Sequence, residues 1–248
     1  TFDFKGKIEA GDKAINISGE TNTDAIKEKI INLFNDYNTL MEKLNTLTTE
    51  KKNKGYDPLT KEQRSELSEE EVKLWDAKVQ QGQLYKDSDL TRITNSLKSA
   101  MRTMVSGTGL NLEQIGIIPV ADYGGVKNGT FIIDETKLSK GLETNLDDIK
   151  NMFVSAKPSE GTDSEKYSKT GIMYRMKDII YSETMISTSA LSKKAGLLGT
   201  ATATDNTLSK AIKAYERKME DMEVIFSRKE QLLYSQYAKL ETAMNNYN

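Results

Sequence analysis

The stretch Ser209–Asn248, SKAIKAYERKMEDMEVIFSRKEQLLYSQYAKLETAMNNYN, contains neither proline nor glycine. Counted from just upstream, Leu208, Ile212, Tyr215, Met219, Met222 and Phe226 follow one another at spacings of four and three. Leu233, Leu240 and Tyr247 continue the series at whole heptads, with Lys229, Gln236 and Ala243 in the alternate slots. This is the pattern of one long amphipathic helix with a coiled-coil seam. Asp205 or Asn206 is the expected cap. From there to the end, about 44 residues at about 1.5 Å each make a rod of roughly 65 Å, longer than a small domain is wide. Part of such a helix must project or meet a partner.

A second stripe fits the first. In TDAIKEKIINLFNDYNTLMEKLNTLT, after a cap at Thr23 or Asp24, Ile26, Ile30, Leu33, Tyr37, Leu40, Leu44 and Leu47 recur at fours and threes, and Ile31, Phe34 and Met41 widen the stripe. The expectation is that this helix packs against Leu208, Ile212, Tyr215, Met219, Met222 and Phe226 within the chain. The distal residues Leu233, Tyr237, Leu240, Met244 and Tyr247 outrun it and are left as candidate contacts to another chain.

Between the two stripes the punctuation is local. Thr60 with Gln63, and Ser68 with Glu71, form capping boxes. Asp87 or Ser88 caps a helix carrying Leu90, Ile93, Leu97, Met101 and Met104. Ile115, Ile117, Ile118 and Val120, then Asn128-Gly129 before FIID, predict a β-hairpin near 115–133. Helices follow at about Asp134–Leu142, Asp147–Phe153 and Ile172–Ala190. The polar segment 155–171 reads as a mobile loop. Residues 1–18 alternate around Gly11-Asp12 and read as strand, the tail of a β-rich domain preceding Thr1. The fold class is mainly α: an elongated helical bundle or coiled-coil domain, with a small hairpin insertion and a short N-terminal β segment. Its divisions are residues 1–20, 21–204 and 205–248.

The chain carries little chemistry. It has no cysteine and no histidine, which excludes disulfides, thiolate nucleophiles and Ser-His-Asp triads built from this chain. Net charge is −2, with 29% charged residues and no basic block, which argues against nucleic acid and anionic membranes as partners. Mean hydropathy is −0.59, low for a compact globule and ordinary for long helices with one wet face. Asp87-Ser88-Asp89 opens like a calcium loop but lacks the glycine and the distant glutamate, so it reads as a cap. Ser192-Lys193 and Ser209-Lys210 read as solvated linker and helix-face residues. No catalytic residue, metal site or cofactor is expected. A chain starting at Thr1 reads as part of a longer product, and lack of cysteine suits export in the unfolded state.

Four blocks resemble one family, in that family's order. They are DAIKEKIINLFNDYNTLMEKLN with Tyr37-Asn38, and GYDPLTKEQRSELSEEEVKLWDAKVQQGQLYKDSDLTRITNSLKSAM with Pro58-Leu59-Thr60, Leu67–Glu71 and Trp75. GTFIIDETKLSKGLETNLDDIKNMF and the closing ERKMEDMEVIFSRKEQLLYSQYAKLETAMN complete the set. Together they resemble the C-terminal part of bacterial flagellar filament cap proteins, the second hook-associated proteins, over roughly residues 22–248. The resemblance implies a structural, non-enzymatic assembly factor, extracellular at the flagellar tip and secreted by the flagellar export apparatus. Family members form a ring of identical subunits, commonly a pentamer, whose legs reach into the filament end while exported flagellin folds beneath a plate of heads. An export chaperone before secretion is a further implied partner. Alternative readings are an adhesin at the filament tip, or another rod-like flagellar junction or phage tail protein.

Overall fold

A computed structural model describes residues 22–246. The expected β segment and domain end at 1–20, and Tyr247, lie outside the described residues. Among the described residues the chain is mainly helical with one two-stranded antiparallel sheet.

Helix α1 (Thr23–Thr49) is the central element. It buries Ile30, Phe34, Tyr37, Met41 and Leu44 along one face. That face packs on α4 (Ser88–Arg102), α5 (Glu135–Thr144) and strand β2 (Phe131–Ile133). Helix α6 (Leu146–Val154) packs on α5 and on α8 (Ile172–Ile180), and α8 closes back on α4. The shared core holds Leu97, Met101, Ile115, Leu138, Leu142, Ile149, Met152 and Phe153. Phe34 sits at its middle, with its ring edge-on to Phe131 at 5.4 Å and to Phe153 at 6.2 Å.

This corrects the expected pairing of stripes. Ile30, Tyr37 and Leu44 are buried, and Ile26 and Leu33 pack against the core, as the spacing requires. Leu47 is half-buried, while Leu40 lies at the surface and Phe34 and Met41 take the inner positions. The seam is therefore rotated toward Phe34 and Met41. Its partners are α4, α5 and β2 instead of the last helix. An amphipathic helix has one apolar face, and α1 uses it inside the body.

The hairpin forms where expected. Strand β1 (Ile117–Pro119) pairs antiparallel with β2, Ile117 opposite Ile133 and Pro119 opposite Phe131. Residues 120–130 join them. Gly129 turns the chain at φ 83°, a left-handed conformation suited to glycine, and Thr130 N–H donates to the Lys127 carbonyl at 3.1 Å. Two asparagines of α1 fasten the hairpin. The Asn38 amide donates to the Phe131 carbonyl at 2.8 Å and its oxygen accepts from Phe131 N–H at 2.9 Å. One side chain thus satisfies both outward backbone groups of an edge residue. Asn45 donates to the Val126 and Asn128 carbonyls, each at 2.8 Å.

Three of the expected caps, at Thr60, Ser68 and Asp87, are as read. Thr60/Gln63 and Ser68/Glu71 form complete capping boxes on α2 (Lys61–Ser65) and α3 (Glu69–Gln80), and Asp87 caps α4. The arm of α2 and α3 buries no residue. It is pinned by Trp75, whose indole N–H donates to the Asp57 carbonyl at 2.8 Å while its ring lies on Tyr56. Asn22, rather than Thr23 or Asp24, caps α1, accepting from Ala25 N–H.

Two expectations fail. Segment 155–171 is not all loop: a third capping box, Thr162/Glu165, starts α7 (Asp163–Lys169). Arg175 then ties that helix down. Almost fully buried, it donates to the carbonyls of Thr103 (2.6 Å), Tyr167 (3.0 Å), Ser168 (3.0 Å) and Met104 (3.3 Å), and lies 4.5 Å from the Tyr167 ring centre. The helix expected over Ile172–Ala190 is also broken. After Ile180 the chain forms a π-helical turn (Tyr181–Met185), and α9 (Ala190–Ala195) starts afresh on a Ser189 cap.

Two substitutions test this packing. Arg175→Lys should destabilise the chain by about 3 kcal/mol in urea unfolding. An ammonium cannot span four carbonyls that the guanidinium fork reaches, and buried acceptors are left unpaired. Tyr37→Phe should cost nothing and should raise stability by up to about 1 kcal/mol. The buried Tyr37 hydroxyl has no hydrogen-bond partner among the described residues, and burial pushes its pKa up.

Candidate functional site, an uncovered helix face

The last helix, α10 (Thr207–Asn245), has 39 residues, and among the described residues none of them is buried. Asn206 caps it, its side-chain oxygen accepting from Ser209 N–H at 2.9 Å and its amide donating to the Thr202 carbonyl at 2.9 Å. Lys210 reinforces this end through Asp205 at 2.8 Å. With no glycine or proline inside, nothing interrupts the rod. Thirty-nine residues at about 1.5 Å each extend roughly 58 Å.

Leu208, Ile212, Tyr215, Met219, Met222 and Phe226 lie on one face of this rod and are all exposed, Phe226 to 63%. The helix meets the rest of the molecule mainly through α9, not α1. The intrachain seam expected for these six residues is absent among the described residues, because the apolar face of α1 is already occupied. Leu233, Tyr237, Leu240 and Met244 continue the same face and are likewise exposed. Proximal and distal halves thus form one surface, where the sequence had suggested two environments.

Three further apolar residues went unassigned in the sequence reading: Val224, Ile225 and Leu232, all exposed. Ile225 and Leu232 precede Phe226 and Leu233 by one position each, so they flank the seam on one side. Tyr237 and Met244 flank it on the other. The heptad recurrence of Ile225 and Leu232 was the available signal. The distal half is therefore wider than a two-residue seam. The proximal half is edged by Glu216, Glu223 and Glu230 on one side and Lys218 on the other. Exposed apolar surface of this width is unusual on a solvated helix.

The rest of the described surface holds no competing chemistry. A cleft lies beside the C-terminal end of α4. Met101, Met104, Val105, Leu110, Leu112 and Phe131 are among its lining residues, and Arg102 and Glu113 are its only charged members. Among the described residues no cluster of three or more Asp or Glu could hold a metal ion, and no helix is long and apolar enough to cross a membrane.

Comparison with known proteins decides the family. The model of the family described as flagellar hook-associated protein 2 C-terminus matches residues 1–248, the entire chain. The chain belongs to that family. The flagellar hook-associated protein 2 of Halalkalibacterium halodurans is 29% identical over 264 aligned residues, covering 100% of this chain and 47% of that protein. The chain thus spans about half the length of the relative it matches. No solved structure matches it. In this member of the hook-associated protein 2 family, the blocks that carried the resemblance occupy distinct places. Tyr37 and Asn38 lie on α1, in the core and on the hairpin edge. Pro58–Thr60 and Leu67–Glu71 build the α2–α3 arm, and Glu216–Asn245 forms most of α10.

The exposed face makes a simple prediction. Met222→Ser combined with Phe226→Ser should leave the urea unfolding of the body unchanged within about 0.5 kcal/mol, as for surface positions generally. A loss of about 2 kcal/mol or more would mean that the chain covers this face itself.

Proposed function

We propose that this chain is the leg of a flagellar filament cap. In this reading residues 21–204 form the leg body and 205–248 its projecting coil. The full protein is exported unfolded, with a chaperone holding it beforehand. It assembles with copies of itself at the filament tip, outside the cell, and promotes folding and insertion of exported flagellin. Its action is binding, with no bond made or broken. The observation that carries the proposal is α10: a 39-residue rod with its apolar face uncovered, in a chain matched end to end by the hook-associated protein 2 family model.

The physics suits a transient contact. Apolar burial is non-directional, so a wide helix face accepts partners in several registers. Lys229 and Gln236 occupy seam positions where apolar residues would bind tightest. Polar residues there weaken packing and keep the contact reversible. A subunit that must release each new filament position gains from such a seam.

Cells lacking their cap protein and leaking flagellin monomers provide the test. Full-length parent protein is added back, either intact or with Leu233→Ser, Tyr237→Ser and Leu240→Ser together, and filaments are imaged. Intact protein should restore filament growth, and the triple variant should lose most of that activity while keeping its helical circular dichroism. Equal growth with the variant would remove the distal face as the contact. No growth with the intact protein would sink the cap reading and leave the adhesin or other-rod readings in its place.

A further inference from the structure

The segment between α8 and α10 is a succession of short, dissimilar pieces. The π-helical turn Tyr181–Met185 gives way to extended backbone at Ile186 (φ −108°, ψ 139°). Helix α9 has only six residues and ends at Gly196, whose φ is 90°. A 3-10 turn at Ala201–Ala203 follows, and then the extended cap Asn206 (φ −135°, ψ 171°).

The second part of this segment is tightly knit to α10. Asn206 bonds back to Thr202 and forward to Ser209. The Thr207 hydroxyl donates to the Lys193 carbonyl at 3.2 Å. A side chain at Gly196 would strike the Thr202 carbonyl and the Asn206 amide. Helix α9, the loop and the first turn of α10 therefore move as one piece.

That piece meets the rest of the chain where α9 packs on the π-helical turn Tyr181–Met185. Leu191 packs against the core from a half-buried position. Among the described residues, the only polar side-chain links from residues 186–246 to residues 22–180 run from Lys194. Its Nζ lies 2.7 Å from Asp87 Oδ2 and 3.2 Å from Asp89 Oδ2. Asp87 is itself fixed, since its other oxygen accepts from Asp89 N–H and Leu90 N–H as the cap of α4. One step upstream, Arg92 pairs with Glu183 of the π-helical turn. The joint is thus clipped to one place, the first turns of α4, by ion pairs that remain partly exposed, with Lys194 at 38%. Pairs of this kind are weak and screened by salt.

We propose that residues 186–206 are a pivot for α10, and that Lys194, seated between Asp87 and Asp89, is the latch that holds the helix at one angle to the body. The length of α10 amplifies any play in the latch. At about 1.5 Å per residue, a swing of about 10° moves the far end by roughly 10 Å. The pivot stands on these contacts alone and does not depend on the flagellar reading.

The 248 residues contain no cysteine, so spin labels can be placed at will. Lys140→Cys on α5 and Ser227→Cys on α10, both at exposed positions, report the angle through the distance distribution between two nitroxides in the full chain. With Lys194 present, at about 0.05 M salt, a single narrow distribution is expected. Lys194→Gln should broaden it at least twofold, and Lys194→Arg, which reaches both carboxylates, should keep it narrow. Raising salt to about 1 M should broaden the Lys194 protein toward the glutamine variant. Identical distributions for Lys194 and Lys194→Gln overturn the proposal, as does a distribution already broad at low salt with Lys194 present. Should the glutamine variant fail to fold, the salt series decides: no broadening at 1 M refutes the latch.

Discussion

The edge-on contact of Phe34 with Phe131 and Phe153 is the constraint on which the rest of the molecule is arranged. It brings together α1, β2 and α6, which are far apart in sequence, and no other helix can enter that place. Once Phe34, Tyr37 and Met41 face α4, α5 and the hairpin, the remaining faces of α1 are polar or only half-buried. Asn38 and Asn45 then determine where the hairpin sits, because an edge residue with both backbone groups satisfied by one side chain cannot slide without losing two hydrogen bonds. Arg175 does the same for the opposite side of the body, gathering four carbonyls from α7 and from the stretch after α4.

The uncovered face of α10 is the direct consequence. A helix can be stable in water with its apolar stripe exposed only if it is long and well capped, and even then marginally. Here Asn206 and the Lys210–Asp205 pair secure one end and the chain offers no breaker for 39 residues. The stripe is nevertheless too wide to be incidental. A face that the body cannot cover, on a rod fastened at one end by a short joint, is free to meet something outside the body. The same arrangement separates two tasks: the body keeps its stability in the aromatic core, and α10 can change contacts at little cost to it.

Much of this was readable in advance where the determinants are local. The capping boxes at Thr60 and Ser68, the Asp87 cap, the Asn128-Gly129 turn and the long run of α10 each depend on residues within a few positions of one another. Misreadings arose where the deciding contact is distant. Segment 155–171 looked like loop because its composition is polar, although Thr162 and Glu165 already spelled a cap; its place is held by Arg175, several residues further on. The break after Ile180 carries no proline or glycine, and its partner Glu183–Arg92 spans the length between two helices.

The sequence by itself determined that the chain is mainly helical, where most helices begin, that a hairpin interrupts them, and that α10 carries an apolar face with polar residues in its seam. It also determined the chemistry that this chain lacks, since residue types absent from the sequence cannot be supplied by folding. Only the tertiary structure decided which stripe meets which. Periodicity specifies that a face will be buried but not against what, and both α1 and α10 have the right period to pair. The choice was made by aromatic shape and by the two asparagines that bind α1 to the hairpin, and it left α10 uncovered.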